Sequence, residues 1–312
     1  MHLGEILLEV TRNEMIESVH SGHLLILDNE GNEKLRLGDV DQLMYPRSAV
    51  KSLQASAMVR AGLSLSGEQL ATVCASHAGS PRHLEVIRSI LKKYGLDESA
   101  LQNTPDRPLG SVERHAWGTK PPTSLAANCS GKHAGMVATC AINGWDLRTY
   151  KNPEHPLQLA IQAEFRSLSE VEISKIGVDG CGAPLIALSV GALAHAIRKL
   201  TLSEDLIHQE VISASRQHPF FVAGDGRLPT QLISLVPGLF AKDGAEGVMV
   251  ISLKDGATIA WKMSDGSQRG SSVLAVAALQ HLDISVTLEH EKVLGDGRIV
   301  GEIRASRMMH HG

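Results

Sequence analysis

The strongest constraint on the fold of this chain is where its strand-like sequence lies: at the two ends and not in the middle. Near the start, "GEILLEVTRN" and "IESVHSGHLLILDN" are rich in apolar and β-branched residues, and "HLLILDNEGNEKLRLGD" reads as a hairpin around Asn29-Glu30-Gly31-Asn32. Toward the other end, "EGVMVISLKDGATIAWKMSDG" is two apolar runs joined at Asp255-Gly256, a strong hairpin signal. Strands at both ends imply that the termini meet in one antiparallel sheet. The stretches between them carry helical spacing: "AVKSLQASAMVRAGL", "PRHLEVIRSILKKYGL", "SGKHAGMVATCAING", "PEHPLQLAIQAEFRSLSE" and "PLIALSVGALAHAIRKL", several with Pro or Ser near the start and Gly near the end. The expected fold class is α/β of the α+β kind. It is one domain over residues 1–312 with two lobes, a sheet lobe from 1–45 with 245–312 and a mainly helical lobe from 46–244. A cleft between lobes is a common ligand site. The Pro- and Gly-rich stretch at 103–123 is expected to be a long surface loop or lid.

Composition narrows the function classes. The net charge of −4 gives no basic excess for a phosphate backbone, so nucleic acid is not an expected partner. With 43% hydrophobic but only 3% aromatic residues, the core must be aliphatic and alanine-rich. No run approaches the roughly 20 uncharged residues that span a bilayer, and no secretory signal is visible, so no membrane association and a cytoplasmic location are expected. Four cysteines at 74, 129, 140 and 181 then read as free thiols or metal ligands, not as a disulfide framework.

Five short motifs could carry chemistry. In "PRSAVKSLQ" Pro46 suits a first helical turn, which puts Ser48 among free backbone N–H groups and Lys51 three residues on, on the same face. A hydroxyl needs a base within reach, and a lysine serves only if burial or a second cation lowers its pKa; the alternative is an N-cap serine and a solvated lysine. The pair Ser89 and Lys92 has the same spacing but ends a helix, where cations are favoured without any function. In "SHAGSPRHL", His77 and Ser80 lie in a loop ready to line a cleft, although Ser80 before a proline is also a good helix cap. In "NCSGKHAGM", Ala126 and His133 break the phosphate-loop pattern, while Cys129 and Lys132 stand at a helix start. In "VDGCGAP", Cys181 precedes an expected helix opening at Ala183-Pro184. Thiols so placed are acidified, and two could share a zinc or remain small buried hydrophobes. Lys262 in "AWKMSDG" faces either solvent at a sheet edge or the cleft.

Taken together and in order, these five motifs resemble the asparaginases of the Rhizobium etli type, whose fold is similar to the serine β-lactamases and glutaminases. The resemblance covers essentially the whole chain. It implies hydrolysis of L-asparagine to aspartate and ammonia, two serine-lysine pairs falling on Ser48 with Lys51 and on Ser80 with Lys262, and a zinc held by Cys129, Lys132 and Cys181. His133 and Asp179 are implied near the substrate, and a homodimer is implied as the assembly. Met-Ser follows Lys262 where β-lactamases have Thr-Gly, and no Ser-Asp-Asn element is evident, which disfavours penicillin chemistry. A glutaminase or other amidase on the same scaffold, or a non-catalytic amino-acid sensor, are the competing readings.

Overall fold

The computed structural model describes residues 3–310. The chain opens with β1 (Glu5–Arg12), β2 (Met15–Leu27), β3 (Glu33–Leu37) and β4 (Leu43–Met44), then a 3-10 turn over Arg47–Val50. Helices follow: α1 (Lys51–Arg60), α2 (Gly67–Val73), α3 (Pro81–Lys93), α4 (Ser111–Trp117), α5 (Ser130–Asn143) and α6 (Pro156–Ser169). Short strands β5 (Ile176–Val178), β6 (Pro184–Ile186) and β7 (Leu188–Ser189) precede α7 (Val190–Leu202), α8 (Leu206–Gln217), α9 (Pro219–Val222) and α10 (Leu228–Leu235). The chain closes with β8 (Phe240–Gly244), β9 (Val248–Ser252), β10 (Thr258–Met263), α11 (Ser271–Gln280), β11 (Lys292–Gly295) and β12 (Arg298–Ala305).

The two ends do meet. The main sheet runs β11-β12-β1-β2-β10-β9-β8, with β3 also on β2, and every pairing is antiparallel. The β1–β2 turn holds Asn13 and Glu14 at φ 45 and 69, the positive values that a two-residue hairpin turn needs to match strand twist. Both hairpins expected from sequence form, at Asp28–Asn32 and at Asp255-Gly256. The sheet begins its last contribution at Phe240, five residues ahead of the 245 expected from sequence.

Alternation along each strand divides the core in two, because neighbouring side chains point to opposite faces. Leu25, Leu27, Val248, Val250 and Ala260 pack against the helical lobe. Leu24, Ile26, Met249, Ile251 and Trp261 pack against α10, α11 and the C-terminal segment. Helix α1 runs through the middle of the helical lobe with residues 51–58 all buried, as expected of a helix enclosed on all sides.

Two local expectations change. Pro184 opens a strand and not a helix: β6 pairs with β5, and the helix starts after Ser189, whose Oγ caps the N–H of Ala192 at 3.0 Å. The 103–123 stretch is not a bare loop; α4 lies in it, and Asp106 and Thr123 close its base as an antiparallel bridge. Among the described residues no helix is long and apolar enough to cross a membrane.

Candidate active site and metal centre

Ser48 lies in the 3-10 turn, half-buried, and the α-helix begins only at Lys51. The turn is entered through Arg47 at φ 52, a left-handed value rare for a side chain of this size. Lys51, 1% exposed, points into the loop after α2. Its Nζ donates to the Ala75 carbonyl at 2.5 Å and to Ser76 Oγ at 3.2 Å. A second buried amine reaches the same hydroxyl: Lys242 on β8, fully enclosed, donates to Ser76 Oγ at 3.0 Å. Lys242 is in turn held by Asp243 through the carbonyl at 2.7 Å and the carboxylate at 2.5 Å, and Arg227 pairs with the same carboxylate. Arg227 also donates to the Ser76 carbonyl at 3.2 Å.

One hydroxyl thus sits between two buried amines, and the electrostatics follow. Burial first, and the charge of Lys242 second, lower the Lys51 pKa to about 7. Burial also lowers Lys242, but Asp243 works against that. For Asp243, burial opposes ionisation, yet Lys242 and Arg227 outweigh it and hold the carboxyl below its ordinary range. Lys51 is therefore the amine that can lie neutral near pH 7, beside a Lys242 that keeps a counterion.

Ser80 and Lys262 are not brought together. Ser80 caps α3, taking the His83 N–H at 3.4 Å and lying 2.7 Å from His83 Nδ1. Lys262 donates to the carbonyls of Glu246 and Met263, both at 2.6 Å. The cause is sheet order: β9 lies between β10, which carries Lys262, and β8, which carries Lys242. Two strands apart and two residues out of register, the two lysines lie about 12 Å from each other across the sheet, and the edge strand is the one over the α2 loop. In space Lys51 and Lys242 both reach the Ser76 hydroxyl, and no hydrogen bond joins Ser48 to Lys51 among the described residues. His77 does not line the cleft either; it is fully buried, 2.9 Å from Ser130 Oγ, with its ring stacked on His83. The missed signal was "FAKDGA", a lysine inside an apolar strand end with an acid and a glycine directly after it.

Two cavities meet at Ser48. One, about 440 Å³, is lined by Ser48, Ser76, Asn128, Arg227, Asp243 and Ala245 among others. The other, about 300 Å³, is lined by Ser48, Asn128, Cys129, Asp179, Cys181 and Ala245 among others. Asp179 and Cys181 come from the tight β5–β6 hairpin, closed by the Asp179 N–H on the Ala183 carbonyl at 2.9 Å, with Gly182 at φ 83. Arg47 Nε donates to Asp179 Oδ1 at 2.8 Å.

Behind the second cavity lie the thiols. Cys129 precedes α5, whose N-terminus packs tightly on α2; a Cβ on Gly131 would lie 2.2 Å from the Thr72 carbonyl oxygen. Donor atoms of Cys129, His133 and Cys181 all lie within 4.8 Å of one another, and all three residues are buried. His133 is fixed through Nδ1 by the Tyr150 hydroxyl at 2.6 Å, while its buried Nε2 has no hydrogen-bond partner. Lys132 Nζ stands 3.4 Å from Cys181 Sγ. A hydrogen bond from Cys129 and the charge of Lys132 hold the Cys181 thiol far below its ordinary pKa despite burial. The bond to Cys181 and burial push Cys129 up. A thiolate, a thiol and an orphaned imidazole nitrogen suit a metal ion that accepts sulfur and nitrogen. His133 thereby enters as a possible ligand, where the sequence resemblance placed it only beside the substrate.

Hydroxyls, buried amines and a buried thiol group border one cleft, a set of groups that suits a hydrolase acting through a nucleophile. The L-asparaginase II family model matches residues 8–305, and the chain belongs to that family. Its resemblances to solved structures are distant. One is a candidate β-lactamase from Bacteroides dorei DSM 17855, at TM-score 0.46 and 11% identity, covering 78% of this chain and 84% of that one. Another is a β-lactamase from Mycobacterium bovis, at TM-score 0.41 and 16% identity, covering 79% and 88%. A third is the protein Mglu in its native form, at TM-score 0.38 and 13% identity, covering 86% and 63%. No curated protein matches the sequence.

Proposed function

We propose that the chain hydrolyses L-asparagine to aspartate and ammonia by serine-lysine chemistry, with Ser48 as nucleophile and Lys51 as its base. Ser48 Oγ bonds to the side-chain amide carbon and its proton passes to Lys51 Nζ. The C–N bond breaks, ammonia leaves with that proton, and water hydrolyses the aspartyl ester. Ser48 suits attack because it lines both cavities and makes no side-chain hydrogen bond among the described residues. Ser76, enclosed between the amines, passes protons between Lys51 and Lys242. The backbone N–H groups of Ser48 and Ala245 are not engaged by other described backbone groups and border both cavities, so they suit an oxyanion. The observation that carries this reading is Ser76 Oγ accepting from two buried amines at 3.2 and 3.0 Å.

Asp179 and Arg47 would meet the charged end of the substrate, the carboxylate facing its ammonium group and the guanidinium its carboxylate. Zinc is the proposed metal, held by Cys129 and Cys181 with a nitrogen from His133 or Lys132. When bound, it would supply positive charge that fixes the substrate's orientation. Lys132 as a ligand must lose its proton, whereas burial already favours the neutral imidazole of His133. Zinc content of the His133→Ala and Lys132→Met proteins separates the two donors.

Ammonia release from asparagine tests the central reading. Ser48→Ala, Ser76→Ala and Lys242→Met should each fall at least about a hundredfold, while Lys262→Gln stays near the parent. Full activity in Ser48→Ala ends Ser48 as nucleophile. Glutamine is the rival substrate, because one added methylene changes recognition by only ~1–3 kcal/mol; the ratio of kcat/KM for the two amino acids decides. A homodimer is the proposed assembly, with exposed Met15, Ile16, Leu294 and Ile299 on the outer hairpins as a surface for it; light scattering gives the mass.

A further inference from the structure

A third cavity, about 810 Å³, opens on the other side of Arg47 from the Ser48 cleft. Met44, Tyr45 and Leu185 give it an apolar wall, and Arg47, Lys175 and Lys262 give it positive charge. Glu246 is the one acidic residue in its lining among the described residues. We propose that this cavity binds a small carboxylate with an apolar or aromatic body, and that its occupancy is felt in the Ser48 cleft through Arg47.

Three observations support the site. Its size falls in the range of small-molecule pockets, ~300–1,000 Å³. Its polar groups have unused capacity. Lys262 Nζ spends two of its three donors on the carbonyls of Glu246 and Met263, leaving one for a ligand. The Tyr45 hydroxyl, laid across Gly177 where a Cβ would come within 2.9 Å of it, makes no hydrogen bond among the described residues. The partition between cavity and cleft also holds strained backbone: Arg47 has φ 52, outside any hairpin turn. Such conformations persist where the surroundings over-determine them, and they gather at ligand clamps and switches.

The coupling is electrostatic. Arg47 lines both this cavity and the Ser48 cavity. Its Nε holds Asp179 at 2.8 Å and its Nη1 stands 3.9 Å from Glu246. A carboxylate arriving beside Lys262 competes with both acids for the guanidinium. Drawn toward the third cavity, Arg47 leaves Asp179 and the place assigned to the substrate's carboxylate, so KM for asparagine rises while kcat changes little. Substrate must weaken the effector equally, since coupling between two sites is reciprocal. This effect on KM rests on the proposed function; binding at the third cavity does not.

Phenylacetate is the probe, benzylamine its cationic control, and calorimetry on the intact protein the first measurement. Phenylacetate should bind and benzylamine should not. Lys175→Glu, a change at an exposed residue, should weaken phenylacetate by at least about tenfold while leaving basal ammonia release unchanged, and Lys262→Gln should weaken it as well. In the parent protein phenylacetate should raise KM several-fold, and in Lys175→Glu it should not. Absence of phenylacetate binding, equal binding by both variants, or displacement by aspartate molecule for molecule would each overturn the site. Binding without a change in KM would overturn the route through Arg47. A protein inert on asparagine that still binds phenylacetate would strike the proposed function and leave the cavity standing.

Discussion

Lys51 and Lys132 are both buried lysines, 1% and 2% exposed, on helices packed against each other, yet they respond oppositely to their surroundings. Burial alone lowers the pKa of either, because a low-dielectric interior penalises the ammonium. Lys51 has Lys242 for company, which adds to that penalty, and it falls to about 7. Lys132 has the Cys181 thiolate, Cys129 and Asp179, which outweigh burial, and it rises. One buried amine is made a base and the other a counter-cation by the sign of the nearest charge. Lys51 reaches Ser76, which lines the first cavity, and Lys132 reaches Cys181, which lines the second, and Ser48 lines both.

The largest effect should come from abolishing the first member of that contrast. Arginine cannot give up its proton in a protein, so Lys51→Arg keeps the charge and loses the base. We expect kcat/KM for asparagine to drop by roughly 10³–10⁴, and ammonia release at saturating and subsaturating substrate gives the number. A smaller loss would mean that Ser48 is activated without Lys51.

Next in size is the pH profile. With a Lys51 pKa of about 7, kcat/KM should rise with pH through that value as the amine loses its proton, with one-proton slope. Lys242→Met removes the neighbouring cation, so the remaining activity should show a limb displaced upward. The same residue affects stability in the same direction of pH. An unfolded lysine titrates near 10.5, so between about 7 and 10.5 the unfolded chain binds more protons and the folded state gains stability as pH rises. Urea unfolding across that window should show the gain in the parent and a smaller one in Lys51→Met.

Lys132→Met tests the other flank and should act less on turnover than on the thiols. Without its cation, Cys181 should ionise at higher pH in metal-free protein, read as ultraviolet thiolate absorbance against pH. Bound zinc should fall if Lys132 is a ligand and persist with affinity changed by about 10–100-fold if it only supports the site. An unchanged thiolate titration would show that Cys129, and not Lys132, stabilises the charge on Cys181.

Much of this architecture could be read from sequence, and the pattern of what could not is instructive. Strand alternation and the turns at Asn29–Asn32 and Asp255-Gly256 are local signals, and they located the sheet correctly. That Ser48 and Lys51 share one turn of chain is legible in the sequence; that Lys51 Nζ turns to Ser76 is not. Nor is the other partner of Ser76 legible, since Lys242 is 166 residues away and its selection over Lys262 depends on which strand lies at the sheet edge. No spacing rule encodes strand order. The Ala-Pro after Cys181 reads locally as a helix opening, and the pairing of β6 with β5 overrides it. Arg47 and Arg82 are equal candidates in sequence for pairing with a carboxylate; the left-handed φ of Arg47 and its bond to Asp179 belong to the folded chain alone.

The smallest expected effect separates a structural serine from the two proposed as reactive, four and thirty-two positions earlier. Ser80 accepts the His83 N–H and touches His83 Nδ1, and no lysine bonds to it among the described residues. Ser80→Ala should therefore cost about 1 kcal/mol of stability, as loss of a helix N-cap does, and lower the melting temperature by a few degrees. Its kcat and KM should match the parent's. A loss of turnover comparable to that of Ser76→Ala would mean that the α3 cap moves during the reaction and brings Ser80 to the amines. That result would dissolve the distinction between cap and catalyst, and with it the assignment of the second pair to Ser76 and Lys242.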